Sequence, residues 1–198
     1  MQGILFVLSG PSGTGKGTVC KEVLNREDDL TLSVSATTRE KRVGEVDGET
    51  YHYVTKDAFE AMIDKGEMLE YAQYNGNYYG TPKASIEELL NSGRDVLLEI
   101  EPQGALQVKK LFPEAVLVFL VPPSMAELKN RLITRGRESE AEIAERIANA
   151  KWELEQADKY TVLIENDDFE ECVTEVLAYF YTKRKERAKI ISLINEKV

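Results

Sequence analysis

Gly10-Pro11-Ser12-Gly13-Thr14-Gly15-Lys16-Gly17-Thr18 stands between an apolar run, Ile4-Leu5-Phe6-Val7-Leu8, and a stretch of helical character that begins near Lys16. Glycines allow a turn tight enough for successive N–H groups to point into one concavity, and a following helix brings the positive end of its dipole to the same place. The spacing of Gly10, Gly15 and Lys16 is G-x-x-x-x-G-K, and a strand before with a helix after is the setting of a Walker A loop. Residues 10–18 are therefore expected to hold a di- or triphosphate, with Lys16 as an exposed loop cation that supports no core. The pattern departs at one place. Ser or Thr is expected after the lysine as a Mg²⁺ contact, but Gly17 stands there and the hydroxyl comes one residue later, at Thr18.

The rest of the composition narrows the field. A chain of 198 residues with 42% hydrophobic and 30% charged residues is long enough for one domain with a real core, carrying small inserted lobes. The longest apolar runs, such as Val116 to Val121, are far short of a membrane span, and no basic region precedes the first apolar stretch, so a cytoplasmic protein is expected. A formal charge of −10 argues against nucleic-acid binding and requires any phosphate site to be a local cluster of Arg and Lys. His52 is the only histidine, which removes histidine triads and multi-histidine metal sites. Cys20 and Cys172 lack metal-ligand spacing and are expected to be reduced, structural thiols.

In order along the chain, strand 4–9 and a helix to about Asn25 lead to a second strand at 31–35 and a polar, basic segment, Ala36 to Arg42. Arg39 and Arg42, three apart, are placed to converge on one anion; a solvated loop is the alternative. Short strands at 50–54, 68–74 and 77–79, with a helix at 57–65 and the hairpin signal Asn75-Gly76, are expected to pair antiparallel and to interrupt the βα alternation. A helix over 82–91, a buried strand 95–101 ending in two acids, a helix through Val108 and Leu111, and a strand 115–121 resume it. Alternation puts Glu99 and Glu101 on one face of their strand, at the carboxyl end where doubly wound sheets bind ligands. Helical stretches 127–134 and 140–158 bring Arg131, Arg135, Arg137 and Arg146 near one another on a hinged, lid-like pair. A strand at 161–164 follows, and Asn166-Asp167-Asp168 caps a terminal helix with an apolar stripe.

Taken together, Gly-Pro-Ser-Gly-Thr-Gly-Lys at 10–16, Ser35-Ala36-Thr37-Thr38-Arg39-x-x-Arg42-x-Gly44-Glu45, Gly76-Asn77-Tyr78-Tyr79-Gly80-Thr81, Glu99-x-Glu101-x-Gln103-Gly104 and the arginine-bearing lid resemble the guanylate kinase family along nearly the whole chain. The resemblance implies an α/β fold: a P-loop NTPase-type parallel sheet flanked by helices (1–35, 83–122, 159–198), an inserted α+β lobe for GMP (36–82) and a helical lid (123–158). It implies phosphoryl transfer from ATP to GMP with Mg²⁺, small nucleotides as partners, and neither nucleic acid nor membrane. Ser35, Glu70, Thr81 and Glu99 would lie at the guanine, and Arg39, Arg42, Tyr51 and Tyr79 at the GMP phosphate. Arg131, Arg135, Arg146 and Asn166 would join the loop residues around ATP. Lys16, Arg39, Arg135 and Arg146 would carry catalysis. Glu101, where an Asp is commoner, would meet Mg²⁺ through water, and Arg137 matches no position of the family. The competing reading is a catalytically inactive protein-binding module of the same fold; such modules typically lose phosphate-loop or arginine residues, which this chain keeps.

Overall fold

The computed structural model describes residues 2–74, 76–135 and 139–195. In chain order the elements are β1 (Leu5–Ser9), α1 (Lys16–Arg26), β2 (Leu30–Leu32), β3 (Ala36–Thr37), β4 (His52–Tyr53), α2 (Lys56–Asp64), β5 (Met68–Tyr74) and β6 (Asn77–Pro82). They continue with α3 (Lys83–Asn91), β7 (Asp95–Glu99), α4 (Pro102–Leu111), β8 (Val116–Val121), α5 (Met125–Arg135), α6 (Glu140–Leu154), a short 3₁₀ turn at Ala157–Lys159, β9 (Val162–Glu165) and α7 (Phe169–Asn195).

Every residue of β1 is buried, and its alternation explains the layers. Phe6 and Leu8 pack with Val19, Cys20 and Val23 of α1 and with Val173, Val176 and Phe180 of α7. Leu5 and Val7 face the other way, onto Ile86 and Leu90 of α3 and Ala105 and Val108 of α4. The sheet between these layers is parallel, in the order β2-β7-β1-β8-β9. Phe6 stacks on Phe180 at 4.0 Å between ring centroids, and burying one such side chain contributes roughly 1.5–3 kcal/mol. Cys20 and Cys172 are buried free thiols in this core, as their spacing suggested.

A second sheet, in the order β4-β3-β6-β5, is built wholly from residues 36–82. Its pairing is not all antiparallel, contrary to the sequence reading. β5 and β6 form an antiparallel hairpin and β3 joins β6 antiparallel, but β3 pairs with β4 in parallel. The chain between β3 and β4 is long enough to loop round and re-enter in the same direction, which a tight turn would forbid. Gly76 takes a left-handed φ of 76° at the hairpin, while Asn75 lies outside the described residues.

Two boundaries also move. β7 stops at Glu99, and Glu101 is the N-cap residue of α4 ahead of Pro102, so the two acids do not share a strand face. α6 ends at Leu154, and the segment to 158 tightens into the 3₁₀ turn. The start of α6 is held by a capping box between Ser139 and Glu142. α5 is anchored by Leu128 and Leu132, both fully buried against Gly13 of the glycine-rich loop. Among the described residues no helix is long and apolar enough to cross a membrane.

Candidate active site

β1 lies between β7 and β8, and the chain leaves its carboxyl end through the glycine-rich loop into α1. In open parallel sheets that is where a crevice forms. Gly10 shows why the loop needs glycine: its φ is 147°, and a β-carbon there would lie 2.3 Å from the Leu120 carbonyl oxygen of β8. An exposed lysine is expected from the sequence, but Lys16 is only 8% accessible. Its ammonium donates to the carbonyls of Gly10 at 2.7 Å and Pro11 at 3.4 Å, and pairs with Glu101 at 3.1 Å. The cation is thus tied to the loop it serves. Asn166, buried, donates to the Thr14 carbonyl at 2.6 Å and braces the loop from behind.

A cavity of ≈ 660 Å³ runs from this loop to the second sheet. Of the residues marked from sequence, Ser12, Lys16, Ser35, Tyr51, Glu70, Tyr79, Glu99, Glu101 and Arg146 line it. Arg39, Arg42, Thr81, Thr18, Arg131 and Asn166 do not. Arg137 lies outside the described residues, as does the side chain of Arg135.

At the far end, Glu70 of β5 is 5% accessible, and the Thr81 hydroxyl donates to its Oε1 at 2.7 Å. Burial pushes its carboxyl up to about 7, against the opposing pull of the hydrogen bonds from Thr81. Thr81 therefore acts on the cavity through Glu70. Near by, Arg39 is gripped in bidentate fashion by Glu45, with N–O distances of 2.7 and 3.0 Å. Glu45 also accepts from the Tyr53 hydroxyl at 2.7 Å and the Arg42 backbone N–H at 2.8 Å. The Arg39 bond, followed by the Arg42 N–H, holds the Glu45 carboxyl down at about 2. Arg39 sits 5.6 Å from the Tyr51 ring centroid, and Tyr51 meets Tyr79 edge-on. Arg42 contributes only its backbone; its side chain is exposed.

Over the glycine-rich loop, α6 presents Arg146, Asn149, Trp152 and Glu153 to the cavity. Arg146 donates to the Ser12 hydroxyl at 3.3 Å, and Glu153 accepts from the Ser12 N–H at 3.4 Å. Burial and the nearby Glu101 push the Glu153 carboxyl up, opposed by Lys16 and the Ser12 N–H. Glu99 is likewise raised by the protein around it, with Lys16 opposing and Glu101 adding. Arg131 pairs with Glu127 along α5, at 2.9 Å.

Sequence reasoning passed over Glu45, Gln103, Asn149, Trp152 and Glu153 as site residues. Asn149 and Glu153 lie three and seven positions after Arg146, a spacing that puts them on its helix face once Arg146 is taken as facing the ligand; Trp152, six on, lies a third of a turn away and is not marked by it. Glu45 carried no such signal, because its partner is a side chain six residues back across an irregular loop. A β-carbon at Gly17 would lie 3.4 Å from Glu99 Oε1, an ordinary contact, so space does not by itself require glycine there. Thr18 is exposed on the first turn of α1 and outside the cavity lining.

A glycine-rich loop of Walker type at one end of a cavity, a buried carboxylate at the other and α6 over the loop are the arrangement of a P-loop kinase. The family model described as guanylate kinase matches residues 2–183. The chain is 50% identical to a guanylate kinase of Clostridioides difficile over 99% of this chain and 96% of that one, and 48% identical to that of Bacillus subtilis over 96% and 93%. The solved guanylate kinase of Anaplasma phagocytophilum superposes with a TM-score of 0.74 at 31% identity, covering 92% of this chain and 86% of that one. A gluconokinase of Sinorhizobium meliloti shares the fold alone, at a TM-score of 0.53 and 17% identity. The chain belongs to the guanylate kinase family.

Proposed function

We propose that the protein transfers the γ-phosphoryl group of ATP to GMP, giving ADP and GDP, in the cytoplasm. The observation that carries this reading is the single cavity joining Lys16 of the phosphate loop to the buried carboxylate of Glu70. A phosphate oxygen of GMP attacks the γ-phosphorus, the bond from that phosphorus to the bridging oxygen breaks, and ADP leaves with the electron pair. Little covalent help is needed; the protein aligns two phosphates, neutralises charge and excludes water. Lys16, the loop N–H groups, Arg146 and Arg135 serve the ATP side, with Arg131 and Asn166 supporting. Arg39, Tyr51 and Tyr79 hold the GMP phosphate, with Glu45 fixing the orientation of Arg39; Arg42, whose side chain is exposed and outside the cavity lining, would have to swing in to join them. Ser35, Glu70, Thr81 and Glu99 surround guanine.

Mg²⁺ fits carboxylate oxygens such as those of Glu101 and Glu99, which line the cavity beside Lys16. Glu101, through water, would meet it, and Thr18, exposed outside the cavity lining, is the secondary candidate. Bound there, the ion would offset negative charge on the transferring phosphate.

The test is ADP release measured across GMP, dGMP, AMP, CMP and UMP. GMP is expected to exceed AMP by roughly 10⁴ in kcat/KM, the discrimination a site built on paired polar bonds reaches. Comparable turnover of AMP would sink the assignment of GMP, and no turnover of any acceptor would point to the inactive binding module.

Acceptor binding should depend on pH through Glu70. Accepting guanine N–H groups requires the carboxylate, yet the free enzyme holds its proton up to about pH 7. GMP affinity is expected to rise between pH 5.5 and 8, more steeply for the wild type than for Glu70→Gln; the phosphate of GMP titrates in both, so the difference isolates Glu70. Calorimetric dissociation constants at several pH values check this, and equal slopes would refute it. The same raised carboxyl has a cost in stability. The folded state binds this proton more tightly than the unfolded chain, so stability falls as pH rises from about 4.5 through 7.

Trp152 is the only tryptophan, lies on α6 beside Glu153 and is 48% accessible at the cavity edge. A non-hydrolysable ATP analogue together with GMP is expected to shift its emission more than either ligand alone, as α6 closes on both. Emission indifferent to both ligands at saturation would mean that α6 does not close.

A further inference from the structure

β5 is an outer strand of its sheet, so the backbone groups on its far side have no strand to pair with among the described residues. At Tyr71 a side chain meets them instead. Gln107 Oε1 accepts from the Tyr71 N–H at 3.2 Å, and Gln107 Nε2 donates to the Tyr71 carbonyl at 2.8 Å. The primary amide stands in for the peptide group of a missing neighbour strand, satisfying donor and acceptor of one residue together. Tyr71 is the residue directly after Glu70.

The same helix also meets Glu70 itself. Gly104 lies one turn before Gln107 on α4, on the same face, and a β-carbon at Gly104 would stand 2.3 Å from Glu70 Oε2. α4 therefore makes room for the carboxylate with Gly104 and holds the adjoining backbone with Gln107. The ladder to β6 is interrupted just before Glu70, where its register shifts between Met68 and Glu70. The Thr81 hydroxyl bonds Oε1, whereas it is Oε2 that stands over Gly104.

We propose that Gln107 is a positioning residue for acceptor selection: by pinning the edge of β5 to α4 at Tyr71, it sets the place of the Glu70 carboxylate above Gly104 and so the affinity for GMP. The inference rests on Glu70 as the acceptor of guanine N–H groups. Gln107 touches neither nucleotide in this scheme; it acts through the strand.

The experiment is a double-mutant cycle between Gln107→Leu and Glu70→Gln, read by steady-state kinetics and thermal melting. Gln107→Leu removes both bonds to Tyr71, together with a long one from Nε2 to the Gln103 carbonyl at 3.5 Å, at similar size in a half-buried place. It is expected to raise KM for GMP about fivefold, the worth of one ordinary hydrogen bond, with kcat and KM for ATP within about twofold. On the Glu70→Gln background it should add less than about twofold. Gln107→Glu, which keeps the acceptor for the Tyr71 N–H but turns a carboxylate oxygen to the Tyr71 carbonyl, should raise KM for GMP likewise and carries the same comparison if the leucine variant fails to fold. An unchanged KM for GMP, or the same fivefold rise on the Glu70→Gln enzyme, would overturn the proposal. So would a loss shared equally by kcat, both KM values and melting temperature, which marks a general weakening of the lobe. The Glu70→Gln enzyme alone decides the underlying reading: if its kcat/KM for GMP is unaltered, Glu70 is not the guanine acceptor and the inference goes with it.

Discussion

Lys16→Ala is expected to lower kcat by roughly 10²–10⁴, the loss seen when a preorganised electrostatic group is removed from a transition state. The argument is geometric. The Lys16 ammonium is held by the Gly10 carbonyl at 2.7 Å and the Glu101 carboxylate at 3.1 Å, within the cavity lining. A cation fixed before the substrate arrives has little reorganisation left to undergo as negative charge develops on the transferring phosphate. Because Lys16 is buried and bonded to loop carbonyls, the substitution also costs stability, about 1–2 kcal/mol, which sequence reasoning on a surface lysine would not anticipate. Single-turnover kinetics at saturating ATP and GMP, below the melting temperature of the variant, separate the two effects. A variant that kept within about threefold of the wild-type rate would remove Lys16 from the phosphate site.

Glu70→Gln is expected to reduce kcat/KM for GMP by at least about tenfold, some 1.4 kcal/mol, with KM for ATP barely changed. Guanine presents N1–H and an N2 amino group as adjacent donors, and a carboxylate has an oxygen for each; adenine puts a lone pair at N1 that would face the charge. The amide of glutamine accepts from one donor and points its own N–H at the other. The setting makes the swap more costly than it would be in water: Glu70 is 5% accessible and braced by Thr81 at 2.7 Å, so a mismatched group has no solvent to turn to. Measurements belong at pH 8, above the value of about 7 to which burial raises this carboxyl, so that the wild type is compared in its ionised form. Loss of fold does not explain the expected result, since removing a charge that burial disfavours should raise the melting temperature at that pH. An unchanged kcat/KM would leave Glu70 as a structural partner of Thr81 and nothing more.

The elements nearest the phosphate loop were legible because each declares itself over a few residues. An all-apolar pentad followed by Gly10-x-x-x-x-Gly15-Lys16 can only be a buried strand turning into a helix, and the structure has β1, the loop and α1 at those places. The pairing inside the second sheet was not legible. Ala36–Thr37 and His52–Tyr53 are each two residues long, and nothing in so short a stretch distinguishes a parallel from an antiparallel neighbour. The end of β7 was misjudged for a related reason: alternation continues through Glu101 in the sequence, but Pro102 opens a helix and takes Glu101 as its N-cap residue.

By itself the sequence determined the phosphate loop, the parallel core on which it sits, and the chemical types available at the site: one loop lysine, a set of arginines and a few acids in a chain with a single histidine. Those are local facts, carried by spacing and composition. Which groups face one another was left to the tertiary structure. It turned Lys16 inward onto loop carbonyls, gave Arg39 to Glu45, put Glu153 of α6 against the Ser12 N–H, and set Glu70 over Gly104 beside the strand edge that Gln107 holds. Each of those contacts except Arg39 with Glu45 and Lys16 with its own loop joins residues dozens of positions apart, brought together only when α6 packs over the glycine-rich loop and α4 packs on β5. Burial then did what no residue type does alone, raising one glutamate to about 7 while a bidentate arginine held another near 2.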